Sequence, residues 1–252
     1  MTALVCFTMD NLGDAADLGR GVISVPRPPG ERPALEQGFP ALLEIYRRFD
    51  IPITHFIEGW SATAYPEQIA MDLAAGHTLG MHGWQHELWS ALDYDRALDI
   101  ATRATDAIEE VSGTRPIAFR APGGKRSRFT SDILTQLGYT IDASLCPTGQ
   151  DGGEIERLSR TLWSAPYEWV GVDASHWLWQ KKDNATVARD WRQALDQAAE
   201  TGKYFIFIWH PHVMGINPER LQVGQQILEY VRTSDKFTIA TLPELISRKT
   251  GA

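Results

Sequence analysis

Three features of this 252-residue sequence predict an α/β fold, with a mostly parallel sheet and helices packed outside it. Short apolar runs alternate with segments of helical spacing along the whole chain. Gly and Pro stand at many of the joints, and no repeat, low-complexity tract or linker breaks the alternation. A closed barrel and a doubly wound sheet both satisfy this pattern, and in both the functional groups gather at the carboxyl ends of the strands.

Residues 4–8 read as a buried strand that ends at Met9-Asp10-Asn11-Leu12-Gly13-Asp14. Residues 19–33, dense in Pro and Gly, predict a long loop, and Leu42, Leu43, Ile45 and Tyr46 predict a helix that stops before Asp50 and Pro52. A strand follows at 53–57, a helix at 66–75 closed by Gly76, a strand at 77–81 and a long helix at 94–111. The second half continues with a strand at 116–119, a helix at 131–137 stopped by Gly138, and strands at 140–144, 162–165 and 169–172. A helix at 186–200 ends at Gly202, and residues 204–209 form the most apolar strand. Asn217-Pro218-Glu219 opens a helix to 231, with Pro just inside the cap, before a strand at 237–240 and a helix at 243–248.

Composition narrows the function. The 24 Lys and Arg against 32 Asp and Glu leave a net charge of −8, which argues against a nucleic-acid partner. The 43% hydrophobic content suffices for one core, so residues 1–252 are expected to form a single catalytic domain. No apolar run approaches the ~20 residues of a membrane span. The first residues lack the basic segment of a secretory signal, and two cysteines, Cys6 and Cys146, make no disulfide framework. A cytoplasmic protein is the expectation, with room for a homo-oligomer.

Polar residues collect where strands end: Asp10, His82, Arg120, Asp173 and His210. His82-Gly83-Trp84-Gln85-His86 puts two imidazoles on one face if the segment turns helically, and such a pair can bind one metal ion; structurally hydrogen-bonded histidines are the plain alternative. Asp10-Asn11 offers an oxygen ligand or a general base, or an Asx-turn, with Asp14 a nearby substitute. His210 is a candidate general acid, while His212 reads as a polar cap on a buried strand. Arg120 can orient a carboxylate or form a surface ion pair. His77 reads as a strand-start residue without chemistry, and Cys146 as an ordinary thiol.

In order, these segments resemble the polysaccharide deacetylase family, the NodB-homology group of carbohydrate esterases. Thr8-Met9-Asp10-Asn11 is similar to its Thr-Phe-Asp-Asp motif, with Asn11 in place of the second acid. His82–His86 resembles its His-Ser/Thr-x-x-His motif, with Gly83 at the hydroxyl position. Arg120-Ala121-Pro122, Asp173-Ala174-Ser175-His176-Trp177 and Ile208-Trp209-His210 resemble three further motifs, and Thr54–Gly59 resembles a family strand. The resemblance spans about residues 4–245.

The resemblance implies a distorted (β/α)7-type barrel and hydrolysis of an amide in a small-molecule or oligosaccharide N-acyl substrate. It implies a divalent metal, most often zinc, on His82, His86 and Asn11. Asp10 would then be the base, Arg120 its orienting partner, His210 the acid, and Asp173 the partner of His210. It also implies that Asn11→Asp would tighten the metal, unless Asp14 is the true oxygen ligand. His210-Pro211-His212-Val213-Met214-Gly215 looks closer to a cytoplasmic subgroup that holds intracellular peptidoglycan-deacetylase-like proteins and metal-independent allantoinases. A cyclic amide hydrolase and a non-catalytic carbohydrate-binding relative are therefore the alternative functions.

Overall fold

The computed structural model describes residues 2–148 and 150–251. The strands are β1 (Ala3–Asp10), β2 (Ile53–Ile57), β3 (Thr78–Met81), β4 (Ala118–Phe119), β5 (Ile141–Asp142), β6 (Glu156–Arg157), β7 (Trp163–Ser164), β8 (Phe205–Trp209) and β9 (Phe237–Ile239). The helices are α1 (Ala15–Gly19), α2 (Phe39–Phe49), α3 (Gly59–Ala64), α4 (Pro66–Ala74), α5 (Tyr94–Ser112), α6 (Thr130–Gln136), α7 (Asn184–Thr201), α8 (Pro218–Thr233) and α9 (Leu242–Thr250). One sheet runs in the order β6-β7-β5-β4-β3-β2-β1-β8, with β9 also on β1. All its pairings are parallel except β6 with β7. The predicted α/β class and distorted barrel are met as a curled, half-closed barrel. Among the described residues no helix is long and apolar enough to cross a membrane.

Pleating of two strands explains why the site is polar and the outer layer apolar. Alternate side chains of a strand face opposite sides. On β1, Phe7 faces the helices and stacks on Phe207 of β8 at 4.9 Å, while Thr8 and Asp10 point inward and both reach Arg120. On β8, Phe207 and Trp209 meet Trp191 of α7 at 5.5 and 6.0 Å, and Trp209 stacks on Tyr46 of α2. Ile208, on the opposite face, lines the central cavity. The aromatic layer thus clamps the two central strands that carry Asp10 and His210 at their ends.

Helix ends obey local chemistry. Asp93, Asp183, Asn217 and Thr241 each accept a hydrogen bond from a backbone N–H three residues on, capping α5, α7, α8 and α9. Two short helices, α1 and α3, and the edge strand β6 were not predicted; each has six residues or fewer, too few for a period to show.

One predicted strand is absent. Residues 169–172 form a short helical turn, Trp169–Gly171, joined to the sheet only by a bridge from Val172 to Ile208. Gly171 lies so close to β8 that a Cβ there would sit 2.3 Å from the Ile206 carbonyl oxygen, and Gly171 N–H is turned back to Glu168. The chain thus touches β8 at one point, and Asp173 leaves from that point rather than from a strand.

Candidate active site

Asp10, His82, Arg120 and His210 meet at the carboxyl ends of β1, β3, β4 and β8, around a cavity of about 620 Å³. Arg120 is almost wholly buried. Its Nη1 donates to Asp10 Oδ1 at 2.6 Å and to Thr8 Oγ1 at 2.8 Å, and its Nε donates to the Ala143 carbonyl at 2.9 Å. The Phe56 ring lies under the guanidinium, 4.2 Å from ring centre to Cζ. The surface ion pair considered for Arg120 is therefore not what forms. Burial pushes the Asp10 carboxyl up, but the charges of Arg120, His82 and His210 outweigh it and hold the group below the usual carboxylate range. Asp10 Oδ2 remains toward His82 Nε2, 4.0 Å away.

His210 stands on the other wall. Its Nδ1–H donates to Asp173 Oδ1 at 2.5 Å, and its backbone N–H donates to Asp173 Oδ2 at 2.8 Å. Asp173 is fully buried behind the ring and also accepts from Ala174 N–H. Burial pulls His210 down, but the Asp173 carboxylate and then Asp10 pull it further up, so its pKa lies above the ordinary imidazole value. With Nδ1 on Asp173, Nε2 is left for the cavity. His176, the neighbour of Trp177, is not in the site: its ring lies between the Val170 carbonyl and Lys182.

The third wall holds the imidazole pair. Residues 82–86 do not turn helically: Gly83 and His86 have φ of 79° and 63°, and Glu87 accepts from the Trp84 and Gln85 N–H groups. The rings still meet, 5.0 Å apart at 76°. His82 Nδ1–H donates to the Arg120 carbonyl at 2.9 Å, which leaves the Nε2 lone pair facing Asp10. Burial lowers the pKa of His82 and, with the charges of His82 and Arg20, pushes His86 down to about 2. Both shifts favour the neutral imidazole, the form that ligation requires.

Asn11 completes this wall in an unexpected way. It has φ of 70°, a left-handed conformation that Asn tolerates, and its Nδ2–H donates to Glu58 Oε1 at 2.6 Å. Glu58 Oε2 accepts from Leu12 N–H at 3.1 Å. The β1–β2 register, which sets Asp10 beside Phe56, brings these residues together. Glu58 was not singled out from the sequence, although it too follows a strand and could have been found by the same rule. Asp14 is engaged elsewhere: Arg27 Nη1 lies 2.5 Å from its Oδ1, and Arg27 N–H and Tyr65 O–H donate to Oδ2. His77, beside β3, is buried and outside the site.

Among the described residues no group of three His, Cys, Asp or Glu side chains is arranged to hold a metal ion. The fit of a cation therefore rests on two neutral imidazoles and the amide oxygen of Asn11, whose nitrogen is turned to Glu58. That set has the donor chemistry for a borderline ion such as zinc and no formal charge of its own. His82 has the tautomer that leaves Nε2 free for it, whereas on His86 the Nδ1 lone pair accepts from Arg20 Nη2 at 3.2 Å and would have to be released to an ion.

Known proteins share this curled parallel half-barrel. The family described as polysaccharide deacetylase matches residues 29–141. A peptidoglycan deacetylase of Helicobacter pylori is 30% identical over 166 residues, 66% of this chain and 50% of that protein. The chain thus spans half the length of that relative. A solved structure from Mycobacterium smegmatis, assigned as a polysaccharide deacetylase, superposes with a TM-score of 0.85 at 25% identity, covering 99% of this chain and 91% of the other. A PuuE allantoinase superposes at 0.81 with 18% identity, covering 99% and 92%, a likeness of fold. The match of residues 29–141 assigns that part of the chain to a polysaccharide deacetylase domain.

Proposed function

We propose that this chain is an amidohydrolase that removes the acetyl group from an N-acetylated amino sugar, with residues 1–252 acting as one catalytic domain. One observation carries the reading: Asp10 and His210 line a single cavity, and their surroundings drive them to opposite protonation states at one pH. Amide hydrolysis needs that combination, a base for the water and an acid for the leaving nitrogen. The family and the Helicobacter and Mycobacterium relatives support the acyl-sugar class.

Asp10 takes a proton from the attacking water through Oδ2, the oxygen that Arg120 leaves free. Arg120 fixes the carboxylate plane and keeps it ionised. His210 gives the proton on Nε2 to the departing nitrogen, and Asp173 holds the ring's orientation throughout. His82, His86 and Asn11 would hold a divalent cation, zinc in this reading, whose chemistry there is Lewis-acid polarisation of the amide carbonyl. Trp179, 60% exposed, and Trp169 form an edge-to-face pair on the cavity wall and offer a flat apolar face to a sugar ring. Cys6 and Cys146 are free thiols, in keeping with a reducing, cytoplasmic setting.

The test is direct: purified protein with N-acetylglucosamine oligomers, N-acetylglucosamine and allantoin, scored for released acetate, free amine and ring opening. Acetate and amine in equal amounts, lost in His210→Ala, support the reading. Ring opening of allantoin alone would replace it with a cyclic amide hydrolase. Binding of the oligomers without turnover would make the chain a carbohydrate-binding relative.

A further inference from the structure

Four arginines line the cavity, and three are engaged by the protein itself. Arg120 is paired with Asp10, and Arg27 with Asp14 and Asp17. Arg32 donates to the Arg27 carbonyl and lies over the Tyr65 ring. Arg20 is different. It is exposed at the mouth, and its polar side-chain partner is the His86 ring, with Nη2 3.2 Å from Nδ1. Among the described residues no carboxylate pairs with it.

This placement is built into the backbone. Arg20 caps α1, its N–H donating to the Ala16 carbonyl at 3.1 Å. The residue before it, Gly19, packs so tightly that a Cβ would fall 2.1 Å from the Gln85 carbonyl oxygen. A side chain at 19 would lift the end of α1 off the turn that carries His82 and His86. Glycine there lets the helix seat on that turn, and the next residue then meets His86.

We propose that the substrate carries a carboxylate in addition to its N-acyl group, and that Arg20 docks that carboxylate at the cavity mouth. The inference deepens the N-acetyl hydrolase reading and rests on it. A guanidinium without a carboxylate partner at the entrance of a pocket favours an anion there over a neutral group. A guanidinium matches a carboxylate through two parallel N–H···O bonds. A dianionic phosphate suits the place less well, because Asp17 and Glu31 line the same cavity. Arg20 is therefore a specificity residue: it selects the substrate and leaves bond cleavage to Asp10 and His210.

The experiment compares acids with their methyl esters, which differ in charge and little in shape. N-acetylmuramic acid and N-acetylglucosaminuronic acid place the carboxylate at two positions on the same sugar. The expected result is a kcat/KM for at least one acid about 10- to 100-fold above its ester, the range for a hydrogen-bonded charge. Arg20→Ala should collapse that ratio toward one, and Arg20→Lys should keep part of it. The ratio is the readout because Arg20 also touches His86, so absolute rates can move for other reasons. Equal ratios in wild type and Arg20→Ala, or no discrimination in either pair, overturn the proposal. If the wild type cleaves N-acetylglucosamine oligomers but none of these compounds, the proposal is overturned. If it cleaves neither, the hydrolase reading fails, and calorimetric binding of the same pairs judges Arg20: acid and ester bound alike would overturn it.

Discussion

The two sides of the cavity are built on different principles. On the Asp10–Arg120 and Asp173–His210 sides, each cavity-lining group has a buried partner of opposite charge that holds its orientation and biases its protonation. On the Asn11–His82–His86 side the cavity-facing groups are neutral, and the negative charge stands one step back, on Glu58 behind Asn11. The first arrangement is complete in the protein alone. In the second, the charge of Glu58 is turned to the Asn11 amide rather than to the cavity.

The largest expected effects break the charged side. Asp10→Asn keeps the shape and removes the base, and His210→Ala removes the acid. Each should lower kcat by roughly 10²-fold or more, with a much smaller change in ligand affinity, measured by steady-state kinetics and calorimetry.

Metal binding probes the neutral side. With zinc titrated into metal-free protein, His82→Ala should lose the ion's heat signal, whereas His77→Ala should retain it. Equal affinities in the two variants would show that the imidazole pair is not the ligand set.

A third prediction revises what the family resemblance implies for Asn11. The amide nitrogen donates to Glu58 across 2.6 Å, so a carboxylate at position 11 would lose that bond and face a like charge. Asn11→Asp alone should cost about 1–3 kcal/mol in urea unfolding, the price of an unmade buried hydrogen bond, and need not tighten the metal. Asn11→Asp with Glu58→Gln restores a donor and should recover at least half of that loss. Additive costs in the double variant would show that the two residues do not interact.

The smallest effect is the pH dependence of stability. His210 has a folded pKa above the ordinary 6.5, so its contribution is complete below pH 6.5 and is lost as pH rises through the folded value. Asp10 has a folded pKa below 3.8, so its contribution is present above that value and is lost as pH falls through the folded one. Urea midpoints of wild type and Asp173→Asn should converge on the alkaline side, because the variant has no charge pair there to lose.

The order of the elements was legible because strands of this sheet are short apolar runs and helices such as α5 and α7 are long and periodic. The rule that functional groups follow strands picked out Asp10, His82, Arg120 and His210, which the structure gathers around one cavity. It reached Asp173 for the wrong local reason, since Trp169–Gly171 form a helical turn against β8 rather than a strand. What stayed hidden depends on contacts between distant segments. Nothing near Asn11 reveals that Glu58, 47 residues away, receives its amide hydrogen. Nothing near Arg20 reveals His86, 66 residues away, because the link is made by a close approach of two backbones.

The central claim is that one cavity holds Asp10 as an ionised base and His210 as a charged acid, the latter through Asp173. The most direct test is the pH profile of kcat/KM on an N-acetylated sugar substrate, for wild type and for Asp173→Asn. The wild type should give a bell, its acid limb below the ordinary carboxylate value and its basic limb above 6.5. In Asp173→Asn the basic limb should move to lower pH while the acid limb stays in place. A basic limb that does not move, or a profile with no basic limb, would contradict the assignment of His210 as the acid.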